Sequence, residues 1–203
     1  MAQQFAFTGR TMTLIDGGHE NDIAMQQLLW QQIFDDLQVE CSVSDVRLPI
    51  FNPRFAQLIV VPSITLLECI DLMDQEFPID SPDRDLSEVP LIDDWRRAEG
   101  PYAIWVRKRF EADFEHQKKS AVHVRQSLIP GITLLERLLL ELFYYRYNGK
   151  HLDADCITLC TGTQTTGSFT PGFGWDADHC RVRIDWFAPD YASIGLRVRE
   201  VIT

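Results

Sequence analysis

The feature that most constrains the fold is a leucine-rich segment with a helix-capping pattern at each of its two ends. Thr133 and Glu136 form the pattern of a capping box, and Asn148 with Gly149 is typical of a left-handed C-cap. Leucine and phenylalanine fill most of the circumference of the helix predicted over 133–147. Because a helix that is apolar nearly all round lies inside a core, the segment predicts the centre of packing for the second half of the chain.

The remaining face of this helix is more apolar than a solvated surface requires. It carries Leu140 and Tyr144 beside Glu136, Arg137 and Glu141. Two interpretations stay open: a core on both sides of the helix, or an interface through which Leu140 and Tyr144 bind a protein partner or a second copy of the chain.

The other segments predict an α+β (or α/β) fold. The apolar run Leu58–Val61 is typical of a strand buried in a parallel sheet, and Thr65 with Glu68 marks the start of another helix. Further predicted elements are a strand at 11–15, helices at 21–38, 102–117 and 120–126, and strands at 156–160, 180–187 and 196–202. The chain is therefore expected to have an N-terminal sheet-and-helix region, central helices and a C-terminal antiparallel β meander.

The charge distribution suggests how the chain is divided. Residues 1–100 hold 18 acidic and 6 basic side chains, whereas residues 101–203 hold 12 and 13. Acidic residues and prolines are densest over 77–100, which predicts a linker or surface loop. This segment would join an α/β region at 1–76 to a region of helices and meander at 101–203, and a single domain is the alternative.

Composition also narrows the class of protein. A net charge of -11 repels nucleic-acid phosphates and argues against a general nucleic-acid binder. Five cysteines, an odd number at unrelated spacings, argue against a disulfide framework. No apolar run reaches the roughly 18 residues of a membrane span, and the start lacks the pattern of a secretory signal, so a cytoplasmic location is expected.

The first candidate site is the loop after the predicted first strand. It carries Asp16, His19, Glu20 and Asp22, at a position where α/β sheets expose functional loops. These side chains suit a hard metal ion, so a metal-assisted hydrolase is one hypothesis. The alternative is a tight turn whose polar side chains cap the following helix.

Thiol and imidazole groups late in the chain form a second candidate site, for zinc. They are His151, Cys156, Cys160, His179 and Cys180. On one strand Cys156 and Cys160 would lie about 13 Å apart, which is too far to bind one ion without a bend. The spacing therefore favours buried cysteines that fill the core, and no metal or other cofactor is predicted.

Four arginines form a third candidate site. Arg181, Arg183, Arg197 and Arg199 are predicted on the outer faces of two late strands, where they could form an anion-binding strip for single-stranded nucleic acid. Neighbouring aspartates could instead pair with these arginines in ordinary cross-strand ion pairs.

One heptapeptide occurs twice with a single change. Pro-Ser-Ile-Thr-Leu-Leu-Glu at 62–68 matches Pro-Gly-Ile-Thr-Leu-Leu-Glu at 130–136 in six of seven positions. The match would arise from a duplication, or from two independent uses of a generic helix start.

Segments 130–139, 149–153 and 157–160 resemble a segment of predicted bacterial proteins. The resemblance implies a bacterial origin and no activity. The acidic balance, the apolar helix faces and the lack of a convincing catalytic motif favour a cytosolic protein-interaction or regulatory accessory protein without catalytic activity.

Overall fold

The computed structural model describes residues 19–81, 86, 91–93 and 100–203, so the predicted strand at 11–15 lies outside the described residues. The helices are α1 (His19–Asp36), α2 (Leu66–Asp74), α3 (Ala121–Gln126) and α4 (Leu134–Asn148). The strands are β1 (Gln57–Val61), β2 (Ile79–Asp80), β3 (Leu91–Asp93), β4 (Tyr102–Val106), β5 (Ile157–Leu159), β6 (Thr163–Thr165), β7 (Thr170–Asp176), β8 (Arg181–Phe187), β9 (Leu196–Arg197) and β10 (Val201–Ile202).

The helices begin where the sequence predicts. Both capping boxes are formed, at Thr65 before α2 and at Thr133 before α4. The hydroxyl of Ser120 accepts a hydrogen bond from the third residue of α3. Gly149 ends α4 with φ +62°, a left-handed conformation that glycine adopts at no steric cost. No helix in the described residues is both long and apolar enough to cross a membrane.

The described strands form three sheets. One has the order β1-β4-β10, the second β2-β8-β7-β5-β9, and the third pairs β3 with β6. In the second sheet β5, β7 and β8 are antiparallel neighbours, as expected of the late meander, while β2 and β9 join its edges in parallel. This mixture confirms the α+β class.

Two predictions about the first sheet are wrong. The first residues of the helix predicted at 102–117 form β4, because this aromatic and β-branched run pairs with β1 along its whole length. That pairing is antiparallel, so β1 does not belong to a parallel sheet. Its five residues are nevertheless all buried, since α1 and α4 both pack against it.

Helix α4 lies at the centre of the largest hydrophobic cluster, as its apolar circumference requires. Its leucines pack in one cluster with Trp30 of α1, with β1 and β4, and with Phe173 and Val182 of the second sheet. The three-stranded sheet joins β1, which precedes residues 77–100, to β4 and β10, which follow them, and the described part of that segment supplies β2, β3 and the buried ring of Phe77. The number of domains stays a prediction.

Candidate functional site

The outer face of the five-stranded sheet is covered at one end and open at the other. Strands β7 and β8 turn Phe173, Val182 and Ile184 into the core, so Gly174 and Arg183, which are cross-strand partners, lie on the opposite face. Helix α3 packs over one end of this outer face in a small second hydrophobic cluster. The other end, around Gly174, forms an open cleft.

The cleft has a volume of about 280 Å³ and two glycines in its lining. Gly174 and Gly195 both line it. A Cβ on Gly174 would lie 3.4 Å from the side chain of Ile157, whereas a Cβ on Gly195 would meet nothing within 4 Å. Two of the lining residues therefore bring no side chain into this space.

The rim of the cleft is acidic. Asp155, Asp176 and Asp185 lie around it together with one basic side chain, Arg183. The Nε of Arg183 donates to Oδ1 of Asp185 at 2.7 Å, so that arginine is balanced by one of the three carboxylates. The excess of negative charge makes the cleft suitable for a cationic group.

Asp176 is held ionised by its neighbours. Desolvation would raise the pKa of its carboxyl, but hydrogen bonds from His179 and Arg181 outweigh this and hold the pKa below its usual range. The two donors lie 2.8 Å and 3.3 Å from Oδ2 of Asp176. This carboxylate is therefore ionised at neutral pH, and Arg181 balances part of its charge.

A buried ion-pair network lies behind the end of the cleft, with Asp153 at its centre. Oδ2 of Asp153 accepts from Nη2 of Arg137 at 2.7 Å, and Oδ1 accepts from Nη2 of Arg199 at 2.6 Å. The hydroxyl of Thr158 and the backbone amide of Ala112 also donate to this carboxylate. Burial alone would raise the pKa of Asp153, but the charges of Arg199 and Arg137 outweigh it and lower the pKa.

The network continues to the wall of the cleft. Nη1 of Arg137 donates to Oε2 of Glu141 at 2.9 Å, and Oε1 of Glu141 lies 3.0 Å from Nδ1 of His151. The His151 ring stacks on Trp175, with 3.3 Å between ring centroids and 5° between planes. Because Trp175 lines the cleft, an unbroken chain of contacts joins the cleft to α4.

Three potential metal ligands meet where the network reaches the cleft. One ligand atom from each of Glu111, Asp153 and Cys156 lies within 4.8 Å of the other two. Sγ of Cys156 donates to Oδ1 of Asp153 at 3.7 Å. Burial, then the charge of Asp153 and the nearby carboxylate of Glu111, raise the pKa of the Cys156 thiol, so in the free protein this thiol is protonated and is not a nucleophile.

The acidic loop predicted as a metal site lies partly outside the described residues. Asp16 precedes them, and His19, Glu20 and Asp22 belong to the first turn of α1. A carboxylate oxygen of Asp22 lies 4.0 Å from Nζ of Lys108. The hydrolase hypothesis based on this loop stays a prediction.

The predicted zinc set is dispersed. No three of its five members, His151, Cys156, Cys160, His179 and Cys180, bring ligand atoms within 4.8 Å of one another. Cys160 is buried in the main core, whereas Cys180 is exposed in the turn between β7 and β8. Cys156 alone reaches a cluster of ligands, and its partners there are carboxylates.

The predicted arginine strip is wrong. Strands β8 and β9 are separated by β7 and β5, so Arg181 and Arg183 do not lie beside Arg197. Arg199 is 1% exposed and belongs to the Asp153 network. The ion-pair alternative describes β8 better, since Arg181 pairs with aspartates and Arg183 with Asp185.

The interface predicted on α4 is also wrong for Leu140. Leu140 is 2% exposed and belongs to the core cluster, so it has no surface to offer a partner. Tyr144 is half-buried, and its ring packs edge-on against Phe110. The charged residues predicted beside them, Arg137 and Glu141, are fully buried as well.

The residues of the cleft were missed because nothing local marks them. Asp155 stands in a bend and Asp176 at the end of β7, where acidic residues are common, and Asp185 is one of the charged residues that alternate with apolar ones along β8. One signal was present: Arg137 and Glu141 lie four residues apart on a helix that is otherwise almost wholly apolar, and buried charges require partners. That signal predicts a further acidic partner but does not name Asp153.

Comparison of the chain with protein-family models, curated proteins and solved structures finds no match. The resemblance of segments within 130–160 to bacterial proteins stays a prediction. The function is therefore inferred from the cleft and its surroundings.

Proposed function

We propose that the protein is an interaction protein that binds a basic side chain of a partner in the acidic cleft. The observation that supports this function is an open cleft with two glycines in its lining and with three carboxylates and one arginine around it. A lysine or arginine side chain would place its cation at the carboxylates and its methylenes against Ile157.

The size of the cleft favours a side chain over a larger ligand. At about 280 Å³ it lies just below the roughly 300–1,000 Å³ of typical small-molecule sites. The net charge of -11 would in addition attract a basic partner over a distance. The protonated Cys156 thiol supports binding rather than covalent catalysis at this place.

The test is an NMR titration with an acetylated, amidated peptide that carries one arginine between glycines. We expect saturable shifts at the amides of residues 153–157 and 174–176, with a dissociation constant on the order of 1 mM. Asp155→Lys should weaken binding at least about tenfold, because the side chain of Asp155 is exposed on the rim and its charge is reversed.

Asp190→Lys is the matched control, since Asp190 is exposed and does not line the cleft. This variant changes the net charge equally and should retain binding. Equal shifts with a peptide that carries glutamine instead of arginine, or equal losses in the two lysine variants, would show that the cleft does not recognise a cation.

A further inference from the structure

We infer that Glu111, Asp153 and Cys156 form a binding site for a transition-metal dication of the zinc class at the end of the cleft. The three residues come from two segments, the turn after β4 and the loop between α4 and β5. Their ligand atoms lie within 4.8 Å of one another. The site is distinct from the loop at 16–22, and it shares only Cys156 with the zinc set expected from the sequence.

The spacing suits a tetrahedral ion. Zinc bonds of about 2.3 Å to sulfur and 2.0 Å to oxygen place neighbouring S and O ligands about 3.5 Å apart. The observed distance from Sγ of Cys156 to Oδ1 of Asp153 is 3.7 Å. A shift of a few tenths of an ångström would bring these two atoms to bonding positions, and Glu111 must move in by up to about 1.5 Å.

Glu111 is oriented by the loop that carries the other ligands. Its Oε1 accepts from the backbone amides of Ala154 at 3.1 Å and Asp155 at 3.4 Å. Its Oε2 is buried and lies outside hydrogen-bonding geometry with every donor in the described residues. A buried carboxylate oxygen without a donor is costly, and a metal ion would satisfy it.

The surrounding charges also favour a cation. Glu111, Asp153 and Glu141 bring three formal negative charges, and Arg137 with Arg199 brings two positive ones. When the dication binds, the Sγ–H bond of Cys156 breaks, the proton leaves to solvent, and the sulfur electron pair bonds the metal. The ion and the charged residues around it then carry no net charge. Arg199 remains hydrogen-bonded to Asp153 and orients this carboxylate, as partners of metal-binding carboxylates commonly do.

The ligand types determine the class of ion. Thiolate with carboxylates suits zinc, and cobalt(II) or cadmium as its substitutes, whereas magnesium and calcium prefer oxygen alone. Asp153 and Cys156 line the cleft, so the fourth coordination position would face its open space. Three protein ligands and one open position allow water or a ligand to bind the ion.

The test is a cobalt(II) titration of the full chain followed by absorption, with Cys180→Ser as the reference because Cys180 is exposed and adjacent to His179. We expect one equivalent to produce a thiolate-to-cobalt charge-transfer band, and one equivalent of zinc to remove it. Cys156→Ser in this reference should abolish the band. Glu111→Gln should weaken cobalt binding about 10- to 100-fold.

Cys41→Ser is the matched control, because it removes a half-buried thiol far in sequence from the site and should leave the band unchanged. A band that persists in Cys156→Ser, or the lack of any thiolate band in the reference, would overturn the site. If circular dichroism shows that Cys156→Ser is unfolded, Glu111→Gln decides, and unchanged affinity overturns the site. The peptide titration depends on Asp155 and the cobalt titration on Cys156, so each proposal can fail alone.

Discussion

Helices α2 and α4 begin with almost the same heptapeptide and form the same local structure. The amide of Thr65 donates to Glu68 at 2.7 Å, and the amide of Thr133 donates to Glu136 at 2.8 Å. In both helices the glutamate amide donates to the threonine hydroxyl at 3.2 Å. Seven residues therefore suffice to specify the start of a helix, wherever in the fold that start lies.

The two starts differ in what surrounds them. Thr65 and Glu68 are exposed, whereas Thr133 and Glu136 are fully buried, and the hydroxyl of Tyr102 also donates to Glu136. The same motif thus serves a surface helix and the central helix of the core. Its effect on stability depends on burial, which the motif does not encode.

The next turn of each helix shows a larger difference. Cys69 and Met73 of α2 occupy the positions that Arg137 and Glu141 occupy in α4, and all four side chains are buried. Helix α2 packs through an apolar pair, while α4 packs through an ion pair at the same spacing. Only the second pair depends on partners elsewhere in the chain, chiefly Asp153.

The largest expected effect comes from removing the arginine of that ion pair. Arg137→Met keeps much of the side-chain volume but leaves Glu141 and Asp153 buried with fewer positive partners. We expect a loss of about 3–5 kcal/mol in the free energy of unfolding, measured with urea. Cys69→Ala at the equivalent position of α2 should cost only about 1 kcal/mol, because no charge is left unpaired.

A double variant tests whether the loss comes from the ion pair. Arg137→Met with Glu141→Leu should cost at least about 1 kcal/mol less than the sum of the two single changes, since it removes both charges together. Strict additivity would mean that Arg137 does not act through Glu141, but through Asp153 or by packing its guanidinium 4.0 Å from the ring centroid of Phe173.

The parts of the fold that were predictable are the local ones. Capping boxes, the glycine after α4 and the alternation in β8 are set by residues a few positions apart. The helix predicted at 102–117 failed because the strand β4 is stabilised by pairing with β1, more than forty residues away. Short apolar runs are compatible with helix and strand alike, so the partner decides.

A medium effect is expected from removing the capping hydroxyls. Thr133→Ala leaves the buried amide of Glu136 without its acceptor and should cost about 2 kcal/mol in the free energy of unfolding. Thr65→Ala exposes the corresponding amide to water and should cost about 1 kcal/mol. Thr133→Ser keeps the hydroxyl and serves as the control. Equal losses at the two sites would show that burial does not amplify the cap.

The candidate site was less predictable than the fold. Asp153 is an aspartate in a turn, and its partners Arg137 and Arg199 come from a helix and from the end of the chain. Its distinguishing property, full burial among arginines, arises only when those segments meet. Asp153 is buried, whereas Asp155 is exposed and Asp176 is half-buried, yet all three have the same side chain. Residue type alone therefore cannot distinguish a carboxylate of the buried network from one on the rim of the cleft.

The smallest effect concerns the charge of the exposed cap. Hydrogen bonds first from the backbone amide and then from the hydroxyl of Thr65 lower the pKa of Glu68 below its ordinary value. Because the folded pKa is the lower one, Glu68 stabilises the fold above its ordinary pKa, and this contribution is lost as the pH falls through the folded pKa.

Glu68→Gln keeps an oxygen acceptor but removes the charge. The wild-type chain should therefore be slightly more stable than this variant near pH 7, and the difference should vanish at a pH below the folded pKa. Urea unfolding at both pH values measures the difference, and an NMR titration of Glu68 gives its pKa directly. A Glu68 pKa at or above the ordinary value for glutamate would mean that the exposed box does not favour the carboxylate, and the similarity of the two helix starts would then be one of geometry alone.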